Sequence, residues 1–157
     1  VLPEILGSKI LGFDTETRPS FKKGVKHKVA LLQLATTNSV YLFRLNKIGL
    51  PKELVDILIH PDILKVGAAI TDDLRALKRL HPFESQGFID LQTIVKEYNI
   101  EQISLKKMAA IVLHGRISKS QQTSNWENRQ LSTAQLTYAA TDAWCCLQIY
   151  RTLTNHM

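Results

Sequence analysis

Two apolar runs separated by almost nothing set the first constraint on this chain. Val29–Thr36 and Val40–Leu45 are rich in Val, Leu and Phe, and only the turn around Thr37 and Asn38 joins them. A connection that short makes an antiparallel hairpin and cannot make the crossover that parallel strands need. An earlier run, Lys9–Thr17 (KILGFDTET), reads as a buried strand that becomes polar at its carboxyl end. After the hairpin the pattern becomes alternation. Pro51 opens a helix through Ile59, at a first turn where its missing N–H costs nothing. Ile63–Ile70 reads as a strand, Asp72 to about Leu80 as a helix, and Phe88–Asp90 as a short strand leading into a helix that ends near Tyr98.

Ser104 caps a further helix that runs to about His114 and stops at Gly115, the residue suited to a left-handed C′ position. A polar loop, Arg116–Gln130, precedes the last helix, where Ser132 and Gln135 have capping-box spacing and Ala134–Leu153 contains neither Gly nor Pro. Hairpin first and strand–helix alternation afterwards predict an α/β fold, a mixed sheet of about five strands flanked by helices. With 157 residues, one domain spanning 1–157 is expected.

Composition removes several classes. Hydrophobic residues at 45% and charged residues at 22% exclude a disordered or collagen-like chain. No apolar run approaches the roughly 20 residues that span a bilayer, so no membrane association is expected. The start, Val1-Leu2-Pro3-Glu4, lacks both Met and a basic, apolar leader, as expected of a domain from a longer protein. Cys145 and Cys146 are adjacent and cannot readily pair with each other, which predicts buried free thiols and a reducing, intracellular location, cytoplasmic or, in a eukaryote, nuclear. A net charge of +6 suits a polyanionic partner such as nucleic acid.

The chemistry concentrates in acidic residues. Asp14 and Glu16 lie two apart at the end of the first strand, so both carboxylates share one face of the sheet. An isolated Asp-x-Glu is ordinarily a solvated pair, but two anions at the end of a buried strand repel unless a cation or proton compensates them. On the last helix Tyr138 and Asp142 are spaced i and i+4 and converge on one side, amid small residues that permit close approach to another element. Asp72-Asp73 is a third acidic point, at a helix start where acids also merely complement the dipole. Together these oxygens suit Mg²⁺ or Mn²⁺, and no Cys/His ligand spacing competes.

Three segments, in this order and over nearly the whole chain, resemble the DEDDy 3′–5′ exonucleases, the ribonuclease D and Werner-syndrome-exonuclease type within the ribonuclease H-like fold. They are Gly12-Phe13-Asp14-Thr15-Glu16 with Val29–Leu34, Lys65-Val66-Gly67 through Asp73-Leu74, and Leu136–Ala143 (LTYAATDA). Ser124-Asn125-Trp126 also looks like the family's Asn-Trp segment. The resemblance implies that Asp14, Glu16, Asp73 and Asp142 are the four acids and Tyr138 the tyrosine of the subfamily. Asp73 is preferred to Asp72 because it immediately precedes the apolar Leu74, while Ala68-Ala69 and Thr71-Asp72 depart from the pattern.

The implied activity is hydrolysis of phosphodiester bonds from the 3′ end of DNA or RNA with two Mg²⁺ or Mn²⁺ ions. In that reading Asp14 bridges both ions, Glu16 and Asp142 complete the one on the nucleophile side, and Asp73 holds the leaving-group ion, partly through water. Tyr138 orients the attacking water, a phenol being a poor base at neutral pH. The basic loop Arg18–Lys28 adjoins the acids and offers Arg18, Lys22, Lys23, Lys26 and Lys28 to substrate phosphates, or is a solvated loop; Arg116, Lys119 and Arg129 are further candidates. Phe21 and Trp126 are candidates to stack on a base, with core packing the competing expectation for both. The alternatives are a catalytically silent nucleic-acid-binding module on the same fold and a basic scaffold without a nucleic-acid partner; the intact acids and tyrosine argue against the silent module.

Overall fold

A computed structural model describes residues 1–101 and 103–155. In chain order its elements are α1 (Leu2–Leu6), β1 (Ile10–Thr17), β2 (Val29–Ala35), β3 (Val40–Arg44), α2 (Leu45–Ile48), α3 (Lys52–Leu58), β4 (Leu64–Gly67), α4 (Thr71–Leu80), β5 (Phe88–Asp90), α5 (Leu91–Glu97), α6 (Leu105–Leu113) and α7 (Thr133–Thr154). The five strands form one mixed sheet in the order β3-β2-β1-β4-β5. The hairpin makes its antiparallel half, with β2 between β1 and β3, while β1, β4 and β5 run parallel.

Alternation along β1 divides the molecule. Leu11 and Phe13 face a cluster that includes Leu54, Ile57 and Leu58 of α3 and Leu77 of α4. Gly12 faces the other way, onto α7, where Met108 of α6 and Cys145 and Ile149 of α7 belong to a second cluster with Val66 and Leu91. Both cysteines are free and buried. At the free edge of the hairpin, Thr36 and Tyr41 donate to the Glu4 carboxylate and pin α1 to the sheet.

α7 settles onto β1 through missing side chains. A Cβ on Gly12 would sit 2.0 Å from the Ala143 carbonyl oxygen, so only glycine lets the helix backbone come this close. The helix start is fixed as its sequence predicts: the Ser132 side chain accepts from the Gln135 amide, and Gln135 returns a bond to the Ser132 N–H. Gln135 Nε2 also donates to Ser124 Oγ and the Asn125 carbonyl, which ties the preceding loop to the same turn.

Several boundaries differ from the sequence reading, each for a local reason. The strand expected over Ile63–Ile70 ends at Gly67, because Ala69 turns into the left-handed region (φ 54°) and the Asp90 carboxylate accepts the Ala69 and Ile70 amides. Pro51 is the cap of α3 and lies outside its first turn. α6 is ended by His114, whose φ of 58° takes the left-handed position one residue before Gly115. The short helices α1 and α2 have no counterpart in the sequence reading, and β3 stops at Arg44 because α2 begins there.

Gly12→Ala is expected to destabilise the fold by at least the roughly 1–3 kcal/mol typical of overpacking, because the atom in the way is helix backbone. Gly115→Ala, where an added Cβ meets nothing within 4 Å, is expected to stay within about 0.5 kcal/mol of the parent. Urea midpoints at unchanged m-value measure both, and equal midpoints for the two variants would refute the close contact.

Candidate active site

The carboxyl end of β1 outruns its parallel neighbour. Pairing with β4 spans only Ile10–Gly12, so Asp14 and Glu16 project from a stretch of β1 whose β4 side is open. Register with β2 continues to Glu16 and then shifts between Glu16 and Thr17, an irregularity of the kind that re-aims side chains beside sites. Both acids point toward α7, which supplies Asp142. Carboxylate oxygens of Asp14, Glu16 and Asp142 lie within 4.8 Å of one another. Glu16 and Asp142 are buried and Asp14 is partly so.

Asp73 reaches the group from α4 and stands outside the tight cluster of three. Its carboxylate accepts a 2.6 Å bond from Thr15 Oγ1, which anchors it to β1 between the two acids. Tyr138 lies one turn before Asp142, its phenol near enough to that carboxylate to act on its pKa. Its ring packs on the indole of Trp126 at 5.9 Å between centroids. Asp14, Glu16, Tyr138 and Asp142 line a cavity of about 340 Å³ whose far wall carries Lys106, Lys119 and Gln122.

Electrostatics in the cluster are unfavourable as they stand. Removal from water, then Glu16 and Asp142, hold the Asp14 carboxyl well above its ordinary range. Burial and then Asp142 push Glu16 up to about 8, partly offset by a hydrogen bond from Gln33. Asp142 rises to about 7 through burial, against bonds with Tyr138 and Asp14. Asp73 rises to about 6, burial outweighing the Thr15 bond. Burial and the Asp142 charge keep the Tyr138 phenol protonated far into the alkaline range.

Among the described residues no lysine or arginine forms an ion pair with any of these four acids. The compensating charge is therefore a proton or a cation. An all-oxygen set with no soft donor fits a hard divalent ion.

The sequence reading missed Gln33. It sits opposite Asp14 on β2, fully buried, its Nε2 donates to the Ala139 carbonyl of α7, and its amide helps hold the Glu16 carboxyl down. One amide among the apolar residues of β2 was the available signal. Trp126, a candidate for stacking on a base, is fully buried against Tyr138, so the indole has no face to offer a nucleic acid. Phe21, whose competing expectation was the core, is 87% exposed. Arg18 and Lys22 line a second cavity beside that ring, and Lys26 and Lys28 line a third on the far side of the same loop.

The raised carboxyls have a stability consequence whose sign is opposite to that of a salt-bridged acid. In the unfolded chain they lose their protons near pH 4, but in the folded protein only between about 6 and 8, so the native state binds more protons across that window. Metal-free protein is expected to be most stable toward the acidic end and to lose stability as pH rises to about 8. Millimolar Mn²⁺ should restore more at pH 8 than at pH 5, since protons compete for the same oxygens. Thermal melts in EDTA and in Mn²⁺ at the two pH values measure this, with a smaller slope for Asp14→Asn. A metal-free melting temperature that does not fall between pH 5 and 8 would count against the cluster.

A family model described as 3′-5′ exonuclease matches residues 1–157. By sequence the chain is 34% identical over 152 residues to the bifunctional 3′-5′ exonuclease/ATP-dependent helicase WRN of Mus musculus, covering 93% of this chain and 11% of the relative. The crystal structure of the Aedes aegypti Nibbler EXO domain matches with a TM-score of 0.86 at 26% identity, covering 98% of this chain and 81% of that one. The Trypanosoma brucei RNase D complex with RNA U12 shares the fold, with a TM-score of 0.84 at 18% identity, covering 99% of this chain and 58% of that one. The chain spans 11–54% of the length of eight relatives it matches by sequence. With these matches over its full length, and with the acids of the resemblance gathered at the end of β1, the chain belongs to the 3′-5′ exonuclease family.

Proposed function

We propose that residues 1–157 form one exonuclease domain that removes nucleotides from the 3′ end of DNA or RNA by metal-assisted hydrolysis. The observation that carries this reading is the meeting of Asp14, Glu16 and Asp142, from a strand and a helix, within 4.8 Å and, among the described residues, without a basic ion-pair partner. Together with Asp73 they would hold two ions, Mg²⁺ or Mn²⁺. When bound, such a pair activates water and stabilises the leaving 3′ oxygen of an in-line displacement.

The chain's own groups do the rest. Asp14 faces the other three acids and is the natural shared ligand. Glu16 and Asp142 lie close beside it, and Asp73, restrained by Thr15, stands outside that group of three. Tyr138 keeps its proton, so it acts as a hydrogen-bond donor and orienter, with Trp126 fixing its ring from behind. Lys106 and Lys119 across the cavity are placed to meet phosphate oxygens. The free, buried Cys145 and Cys146 support an intracellular setting, where thiols stay reduced. Nucleic acid as partner is supported by the RNA in the Trypanosoma brucei complex and by the net charge of +6.

Digestion of a 5′-labelled strand in Mn²⁺ tests the reading. The parent protein is expected to give a ladder shortening from the 3′ end and Asp14→Ala none. Tyr138→Phe is expected to lower kcat by roughly 10²–10³-fold, the range for removing one positioned hydrogen-bond donor, with strand binding retained. Binding without cleavage by the parent would favour the catalytically silent module.

A further inference from the structure

The loop between β1 and β2 turns Phe21 outward, its ring 87% exposed, and nothing in the core has a claim on it. Ser20 Oγ donates to the Lys22 carbonyl, and the Val25 amide donates to the same oxygen, so the turn that presents the ring is closed. From Thr17 to Val29 the chain contains no acid and five lysines or arginines. The acid that meets this loop, Glu127, sits 3.5 Å from His27.

Phe21 forms one side of a cavity of about 450 Å³ with Arg18, Lys22 and His27, and Thr123 and Asn125 close it from the loop before α7. Its lining neighbours that of the catalytic cavity along the chain. On one wall Glu16 lines the first cavity and Arg18 the second; on the other, Gln122 lines the first and Thr123 the second. Both walls therefore pass from one cavity to the next within two residues. The far wall is firmly set, because Ser124 and Asn125 are held by Gln135 and Trp126 is packed under Tyr138.

A planar apolar ring at the edge of a cationic trough is the combination that holds single strands: cations track the phosphates and the ring stacks on an unpaired base. We propose that this second cavity is a subsite for an unpaired nucleobase upstream of the 3′ terminus, with Phe21 stacked on the base and Arg18 and Lys22 at its phosphates. The inference rests on the exonuclease reading and adds to it a stacking contact, outside the catalytic cavity, for a base upstream of the terminus. Phe21 is five steps along the chain from Glu16, a reach of at most about 18 Å. The ring thus serves one of about the first five nucleotides, at roughly 3.4 Å per stacked step. A base paired in a duplex cannot be seated this way.

Equilibrium binding in EDTA, by fluorescence anisotropy of a labelled twelve-nucleotide single strand, separates the subsite from catalysis. Phe21→Ala is expected to weaken binding roughly 5- to 100-fold, the range for loss of one base–aromatic stack, and Phe21→Trp to restore it. A 2-aminopurine walked along the strand should be quenched at one upstream position by the parent and not by Phe21→Ala. The parent should also prefer single strand over blunt duplex, and Phe21→Ala should lose part of that preference. Equal affinity of parent and Phe21→Ala would overturn the subsite while a 3′-end ladder from the parent left the exonuclease reading standing. A parent that binds and does not shorten the strand would overturn the exonuclease reading, and the Phe21 comparison would then decide the subsite alone. No binding by the parent would overturn both.

Discussion

Helix α7 can lie on β1 only because residue 12 has no side chain. The Ala143 carbonyl occupies the space a Cβ would need, and the rest of the molecule is organised around that approach. With the helix so close, Asp142 is carried one turn beyond Tyr138 to the level of Asp14 and Glu16. A bulkier residue at position 12 would hold the helix off and part the carboxylates. The fold thus spends apolar packing on a contact that is electrostatically costly. Burial of Ile149, Leu147 and Ala143 along α7 offsets what three neighbouring carboxyls cost.

Sheet register then decides which side each group takes. Side chains alternate along β1, so Phe13 fills the cluster beneath the sheet while Asp14 and Glu16 face α7 above it. A slip of one residue would drive both acids into that apolar cluster and bring Phe13 to the cavity. Thr15, on the side opposite the acids, is nevertheless part of the site, since its hydroxyl draws Asp73 over the end of the sheet. That reach is available because β4 ends at Gly67. Asp90 bends the following turn by accepting the Ala69 and Ile70 amides, and the same carboxylate caps α5 through the Gln92 amide. One carboxylate at the end of β5 therefore sets both the opening beside β1 and the start of the helix that follows.

Much of this was legible in the sequence, for identifiable reasons. The two-residue turn after Thr36 dictates a hairpin, and the capping pair Ser132 and Gln135 dictates where α7 starts, because each depends only on neighbours along the chain. Asp14 with Glu16, and Tyr138 with Asp142, were readable from the strand and helix periods. What escaped depends on contacts distant in sequence. The early end of β4 needs Asp90, twenty-odd residues on, and the burial of Gln33 needs the carbonyl of Ala139. Composition likewise says that Phe and Trp prefer the interior but not which of them finds it.

The two aromatics show how that choice shapes the site. Trp126 is followed closely by the capping turn of α7, so when the helix docks, the indole is trapped beneath Tyr138 and becomes part of the wall. Phe21 lies in a loop with a lysine on each of the two positions after it and Gly24 beyond, and a turn that buried the ring would also bury those charges without partners. The cost of desolvating the lysines keeps the ring in water. The interior aromatic is thus a consequence of the helix that docks over it, and the exposed one of the charge around it. The same rule explains the acids: they are tolerated in the interior only where a cavity opens to let a compensating cation or proton reach them.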